Sequence, residues 1–486
     1  MYFFKDFIRS FDIRQLTKFI LNILKYECSD NNKKLVTYSD VSGDLGFDAF
    51  APDGIYRSDY LPTFININIS TNGRDRMISY YLADIDRTTR FIKSKNDYEK
   101  IYNIKMNGRI KLLFITNASE ETCLRLKTER PDVELEFWSI DQVVEKGMRY
   151  PLEFNALVEL AISNNSSSKN VAEFKKYSKD IGLKDKEKQN KLLCDELVDF
   201  VKDNPACLVL GTGVSMDYND ELSWDALADR LYDKLPESSK FIDLNKALEV
   251  LGKDNFSKAQ YSRENLNKNE YASIIHNLLY PHESVYQRAD TTLDECANLI
   301  CKTFNHGRHP FSKVITYNYD NFLEQALDDR SCKYKVLSEK NDYISRYSIP
   351  IFHVHGFVPE NLKGAELREK IDKLVFTEED YFKHYSDSSN WMVAVQLETF
   401  KDNLCLFVGN SISDFNEKRL LNRTKEKPIP NYAILDSRGL MDSDLAKLHS
   451  HFTYGLNVKI IWANGVGEIP NLIRNIASKL TRNDNN

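Results

Sequence analysis

Ala206-Cys-Leu-Val-Leu210 running straight into Gly211-Thr-Gly-Val-Ser215 sets the fold of this chain. Five apolar residues closed by a glycine turn read as a strand buried on both faces of a parallel sheet. The pattern recurs three times. Lys313-Val-Ile315 leads into Thr316-Tyr-Asn-Tyr-Asp320, Ile349-Pro-Ile-Phe352 into His353-Val-His-Gly356, and Leu404-Cys-Leu-Phe-Val408 into Gly409-Asn-Ser-Ile-Ser413. An open α/β sheet binds ligands in the crevice outside the carboxyl ends of its strands, and polar clusters placed repeatedly there are what such a crevice requires.

Outward from these stretches, short apolar runs alternate with helical patterns from about Lys191, which predicts a Rossmann-like, doubly wound parallel sheet. Between Leu227 and Lys302 the periodicity is helical, a predicted insertion between the first and second strands. Asn431-Tyr-Ala-Ile-Leu435 and Val458-Lys-Ile-Ile-Trp462 are predicted to close the sheet. Residues 1–165 read as a separate α/β domain. Ser163-Asn-Asn-Ser-Ser-Ser-Lys169 is the clearest polar linker, and the charged run to Lys191 is its helical continuation. The expected division is therefore 1–165, a linker with helix at 166–192, and 193–486.

At 486 residues the chain exceeds one ordinary core. A net charge of −6 argues against a generally cationic nucleic-acid or membrane binder, leaving room only for a local basic groove. No apolar run nears the roughly 20 residues that span a bilayer. The opening Met1-Tyr-Phe-Phe-Lys-Asp-Phe7 has no signal-peptide pattern. The eight cysteines include no Cys-x-x-Cys pair, so reduced thiols of a cytoplasmic protein are expected.

The residues suggest a chemistry. Gly211 and Gly213, with Thr212 between them, allow a tight turn and close approach of a pyrophosphate, and a following helix can aim its N–H groups at the anion. Ser215 can cap that helix or donate to phosphate. Alone, Gly-x-Gly-x-Ser is equally a plain strand-to-helix turn.

Taken in order, the four clusters resemble the sirtuin superfamily, in particular its bacterial sirtuin-like branch from anti-phage defence proteins. Gly211-Thr-Gly-Val-Ser215 resembles the family's Gly-Ala-Gly-x-Ser loop, and Thr316-Tyr-Asn-Tyr-Asp320 its Thr-x-Asn-x-Asp motif. His355-Gly356 resembles the catalytic His-Gly, and Gly409-Asn410-Ser411 the adenosine-side loop. Ser411-Ile-Ser-Asp414 and Asn416 follow as in that branch. The resemblance spans about residues 193–482. It implies NAD as substrate, with Asn318 beside the nicotinamide ribose and Asp320 holding the nicotinamide side or the loop itself. His355 is implied as general base on a ribose hydroxyl or water, a role that an unperturbed histidine near pKa 6.5 permits. His353 is expected to be structural rather than catalytic. Asp320, Asp414 and Asn416 also fit helix-cap roles.

Two departures matter. Deacylating sirtuins carry a four-cysteine zinc module after the histidine, but only Cys405 follows His355, so no zinc of that type is expected. Where they have Pro-Asp-Phe-Arg, this chain has Met216-Asp-Tyr-Asn-Asp-Glu-Leu-Ser-Trp224. The expectation is an NAD glycohydrolase releasing nicotinamide and ADP-ribose. Protein deacylation, ADP-ribosyl transfer and non-catalytic NAD or ADP-ribose sensing are the alternatives.

In the first domain, Gly43-Asp-Leu-Gly-Phe-Asp48 and Leu61-Pro-Thr-Phe-Ile-Asn-Ile-Asn68 resemble a restriction-endonuclease-like core. Asp48 matches its first acid, whereas Asn66 and Asn68 stand where Glu and Lys belong. Amides are poor Mg²⁺ ligands, so a degenerate site used for assembly or sensing is implied, with an unrelated α/β domain as the alternative. The resemblance further implies anti-phage defence by NAD depletion, a homo-oligomer, a co-encoded partner such as a HerA-type ATPase, and nucleic-acid contact through the first domain.

Overall fold

The computed structural model describes residues 13–37, 47–59, 61–69, 77–94, 110–150, 153–154, 156–157, 184–218, 222–251, 255–281, 290–305, 310–338, 348–386, 390–427 and 429–481. The Ser163–Lys169 linker and the Gly43–Gly46 turn lie outside them. The chain forms two compact units, residues 1–193 with 440–455, and residues 194–439 with 456–486.

The first unit is built on a five-stranded sheet, β1 (Val36–Thr37), β2 (Ala49–Ala51), β3 (Thr63–Asn68), β4 (Lys111–Thr116) and β5 (Glu134–Trp138), in that spatial order. The β1–β2 and β2–β3 pairs are antiparallel, and β3–β4 and β4–β5 are parallel. Its first helix, α1 (Ile13–Asp30), buries Leu16, Phe19, Ile20, Ile23 and Leu24, a stripe at helical spacing. That stripe packs with Ile65, Leu113 and Ile115, while the alternate residues Phe64, Leu112 and Phe114 join Tyr81 and Ile85 in a second core. Period-two alternation thus gives the sheet two apolar faces. Further helices of this unit include α2 (Ile78–Ser94), α3 (Glu120–Glu129) and α4 (Ile140–Gly147).

After α5 (Lys184–Asp203), the second unit opens with β6 (Ala206–Leu210). Next come only helices among the described residues of the insertion: α6 (Trp224–Asp233), α7 (Leu244–Leu251), α8 (Asn255–Glu264), α9 (Lys268–Leu279) and α10 (Thr292–Asn305). Then follow β7 (Phe311–Thr316), α11 (Phe322–Asp328), β8 (Tyr334–Leu337), β9 (Ile349–His353), α12 (Gly364–Ile371), α13 (Glu378–Ser386) and α14 (Trp391–Asp402). The unit continues with β10 (Leu404–Val408), α15 (Phe415–Thr424), β11 (Asn431–Asp436), β12 (Val458–Ala463) and α17 (Ile469–Thr481); α16 (Asp442–Ser450) belongs to the first unit.

All seven strands are parallel, in the order β12-β11-β10-β6-β7-β9-β8. The first strand, β6, therefore sits between β7 and β10, and chain order reverses across it. Such a switch point opens a crevice at the strands' carboxyl ends. Register aligns those ends: Val408 pairs with Leu210, Leu210 with Thr316, and Thr316 with His353. The four polar clusters leave the sheet from one row. Edge strand β8, with a single fully buried residue, carries no sequence signal of comparable strength.

Between β11 and β12 the chain leaves the second unit. Helix α16 and a π-helical turn at His451–Gly455 belong to the first unit instead. There Glu153 is buried among Asn22 (Nδ2 to Oε1, 2.8 Å), His449 (Nε2 to Oε2, 3.3 Å) and the Tyr454 hydroxyl. Burial raises its pKa, but the bonds and charge from His449 outweigh that and hold the carboxyl below its ordinary value. No helix among the described residues is long and apolar enough to cross a membrane.

Candidate functional site

The glycines of the two outer loops serve each other. Gly213 N–H donates to Gly409 C=O at 2.9 Å, and Gly211 N–H to Val408 C=O at 3.1 Å. A Cβ on Gly213 would lie 2.8 Å from the Gly409 oxygen, and one on Gly211 2.6 Å. Gly409 has φ +61°, and its own Cβ would stand 2.5 Å from Val214 N. Close backbone packing thus demands glycine at all three positions. The expected helix directly after this loop is corrected: a single 3₁₀ turn, Thr212–Val214, follows, and α6 starts only at Trp224 under a Ser223 cap. The cause is visible at Ser215, whose hydroxyl turns toward β7 rather than toward a helix start.

Ser215 Oγ donates to Asp320 Oδ1 (3.2 Å) and accepts from Asn318 Nδ2 (2.9 Å). Asn318 N–H donates to Thr316 Oγ1 at 3.1 Å. Asp320 Oδ1 also accepts from Phe322 N–H, the first residue of α11, but the N-cap position is Asn321, not Asp320; burial raises the Asp320 carboxyl to about 6. Every polar atom of the Asn318 amide is thereby assigned except Oδ1, which is buried without a hydrogen-bond partner among the described residues. An unsatisfied buried acceptor costs on the order of 1–3 kcal/mol, so the amide is held ready for a donor from outside the protein.

His353 is the brace behind it. Its Nδ1 sits 3.0 Å from the Asn318 carbonyl, which only an N–H can satisfy, and its Nε2 lies 2.9 Å from Glu324 Oε1. His355 faces the other way, with Nε2 3.1 Å from Tyr385 Oη. Burial, with His384 adding to it, lowers its pKa to about 3. The ordinary value near 6.5 expected from sequence is therefore corrected: the imidazole is neutral and weakly basic. Gly356, at φ +102°, turns the chain where a Cβ would strike Leu374 Cδ2 at 2.7 Å.

A buried chain fixes the His355 tautomer. Gln396 Nε2 faces Met392 C=O, so its Oε1 takes the Tyr317 hydroxyl proton at 2.7 Å. Tyr385 is hydrogen-bonded to Gln396, whose amide donates, which leaves the Tyr385 proton for His355 Nε2. The open nitrogen of His355 is then Nδ1–H. At the other end of the chain, a hydrogen bond with Tyr317 lowers the Glu417 carboxyl. Burial, and secondarily the Asp414 charge, outweigh that bond and raise Glu417 to about 8.

Glu417 Oε1 accepts from Asn410 Nδ2 at 2.7 Å, and Asn410 Oδ1 accepts from Ile412 N–H at 2.7 Å. Asp414 is the N-cap of α15, accepting from Glu417 N–H at 2.8 Å, and Asn416 is buried in its first turn. Ser411 is exposed and donates to Ser413 Oγ at 2.8 Å. Sequence reasoning missed Tyr317, Tyr381, His384, Tyr385, Gln396 and Glu417. Only Tyr317 lies inside a recognised motif, and nothing in the spacing of the others marks them.

In the first unit, Asp48 Oδ2 accepts from Ile67 N–H (2.7 Å), Asn68 Nδ2 donates to Asp84 Oδ2 (3.0 Å), and Asn66 Nδ2 donates to Thr88 Oγ1 (3.4 Å). Both amides are buried and occupied by neighbours. Burial, with the Asp84 charge adding to it, raises Asp48 above its ordinary value.

The sequence pattern of the SIR2-like domain family matches residues 312–452, which hold Thr316, Asn318, Asp320, His355, Gly356, Gly409–Ser411, Asp414 and Asn416. Over that stretch the chain is similar to SIR2-like domains. It is also similar to defense-associated sirtuin 2 of Bacillus subtilis, 27% identical over 158 residues, a stretch covering 28% of this chain and 14% of that relative. The chain spans about one seventh of the length of that curated relative.

Proposed function

We propose that the second unit hydrolyses NAD to nicotinamide and ADP-ribose, and that the protein acts in the bacterial cytoplasm as an anti-phage defence effector by depleting NAD. The observation that carries this reading is the Asn318 amide, clamped by Ser215 with Oδ1 buried and free at the switch point. Breaking the C1′–N bond sends its electron pair to nicotinamide and leaves positive charge on the ribose. Water then attacks C1′ and its second proton passes to solvent. A buried, unpartnered acceptor oxygen beside the neutral His355 suits the developing cation.

In this reading Asn318 orients the bond and the water, and His355 binds a ribose hydroxyl or water through Nδ1–H. Asp320 and Thr316 hold the Asn318 loop. Gly211, Thr212, Gly213 and Ser215 lie along the phosphates, and Gly356 shapes the turn after His355. Gly409, Asn410, Ser411, Asp414 and Asn416 line the adenosine side. The first unit is a degenerate nuclease-like domain for assembly or sensing. A homo-oligomer, a co-encoded partner such as a HerA-type ATPase and nucleic-acid contact through that domain are part of the proposal. The name of the similar Bacillus protein supports the defence role.

The test is nicotinamide release by wild type, Asn318→Ala and His355→Ala, with products identified in the presence of an acyl-lysine peptide. Release that both substitutions abolish, without O-acyl-ADP-ribose, is expected. A folded wild type that neither binds nor cleaves NAD refutes the proposal.

A further inference from the structure

Helix α13 presents three side chains to His355 at i, i+3 and i+4 spacing, and so on one face. Tyr381 and Tyr385 have ring centroids 6.1 and 6.3 Å from that of His355, and the His384 ring stands edge-on to it at 5.8 Å. Tyr385 is spoken for by His355 and Gln396. The other two are not: Tyr381 Oη and His384 Nε2 are buried with no hydrogen-bond partner among the described residues.

The state of His384 follows from its neighbour. Asn390 Oδ1 caps α14 by accepting from Met392 N–H (3.0 Å), so the group it turns to His384 is Nδ2, which also donates to the His384 carbonyl. At 3.3 Å from that donor, His384 Nδ1 must accept, and the ring proton is on Nε2. Burial, which lowers the imidazole to about 4, keeps it neutral. Two buried donors without acceptors, one turn apart beside His355, are costly unless something supplies an oxygen.

We propose that Tyr381 O–H and His384 Nε2–H bind an uncharged oxygen of the nicotinamide riboside half of NAD, either the carboxamide carbonyl or a ribose hydroxyl. The inference rests on the NAD reading above and extends it to two positioning residues outside the recognised motifs.

Tyr381→Phe is the first variant. Removing an unpartnered hydroxyl leaves the melting temperature of the free protein equal or higher, yet weakens ligand binding. A merely structural tyrosine moves stability the opposite way. The second pair is His384→Phe, which keeps the ring without the donor, and His384→Gln, which returns an N–H near Nε2. Binding of nicotinamide and of ADP-ribose, neither of which is turned over, is measured by calorimetry together with kcat/KM for NAD. Tyr381→Phe and His384→Phe should each lower affinity for one product by about three- to tenfold, the size of one hydrogen bond, with partial recovery in His384→Gln. Loss on nicotinamide assigns the carbonyl; loss on ADP-ribose assigns the hydroxyl. Wild-type affinity for both products in Tyr381→Phe and His384→Phe overturns the assignment and leaves the NAD reading intact. A wild type that binds neither product nor NAD overturns both.

Discussion

Replacing Glu417 by Gln should stabilise the protein in alkaline solution and leave it nearly unchanged in acid. Its carboxyl rises from 4.5 to about 8 through burial, with Asp414 second. A group whose folded pKa is raised contributes stability that is complete below the unfolded value, near 4.5, and is lost as pH climbs through the folded value, near 8. Between those limits the wild type loses stability at up to ~1.4 kcal/mol per pH unit, one proton's worth. Over 8 − 4.5 = 3.5 units the ceiling is roughly 5 kcal/mol. Glutamine has the same shape, and its oxygen still accepts from Asn410 Nδ2. It does not ionise, so its curve should be flat where the wild type's falls. Urea unfolding at pH 5.5, 6.5, 7.5 and 8.5, followed through Trp224, Trp391 and Trp462 of the second unit, measures the difference. Parallel curves would refute the claim that Glu417 is protonated at neutral pH.

Ser215→Ala leaves Asn318 Nδ2 without its partner and Asp320 with one donor fewer; thermal unfolding should report about 1–3 kcal/mol lost, alongside a fall in any NAD turnover. Gly409→Ala forces a Cβ onto Val214 N at positive φ; a loss of about 1–3 kcal/mol and weaker ADP-ribose binding are expected, and wild-type values for both would contradict the interlocked-loop geometry. Glu153→Gln acts in the first unit with the opposite pH sense from Glu417. A depressed carboxyl stabilises above its unfolded pKa and stops doing so as pH falls through the folded value, so the variant should be less stable at pH 7 and converge with wild type below about pH 4.

Much of the site was legible because period and position carry it. Four apolar runs of strand length predicted β6, β7, β9 and β10, and the polar residues after each were the ones brought together. The insertion was legible as helix from periodicity alone. Other features were not. The edge strand β8 is short and mostly half-exposed, and the Leu440–Gly455 excursion looks like any helix between two strands. Which unit buries it depends on Glu153, some 300 residues earlier, as partner for His449 and Tyr454. The glycines were read as room for phosphate, whereas in the fold they make room for one another.

The local sequence therefore determined strand ends, helix stretches and the identity of Asn318, His355 and the glycine loops, because these follow from apolar period, turn chemistry and residue type. Only the tertiary structure decided protonation and hydrogen-bond direction. Whether His355 is basic, Glu417 ionised or His384 a donor depends on desolvation and on which neighbour has already spent its proton. Those neighbours come from elements far apart in the chain that meet only when the seven-stranded sheet closes.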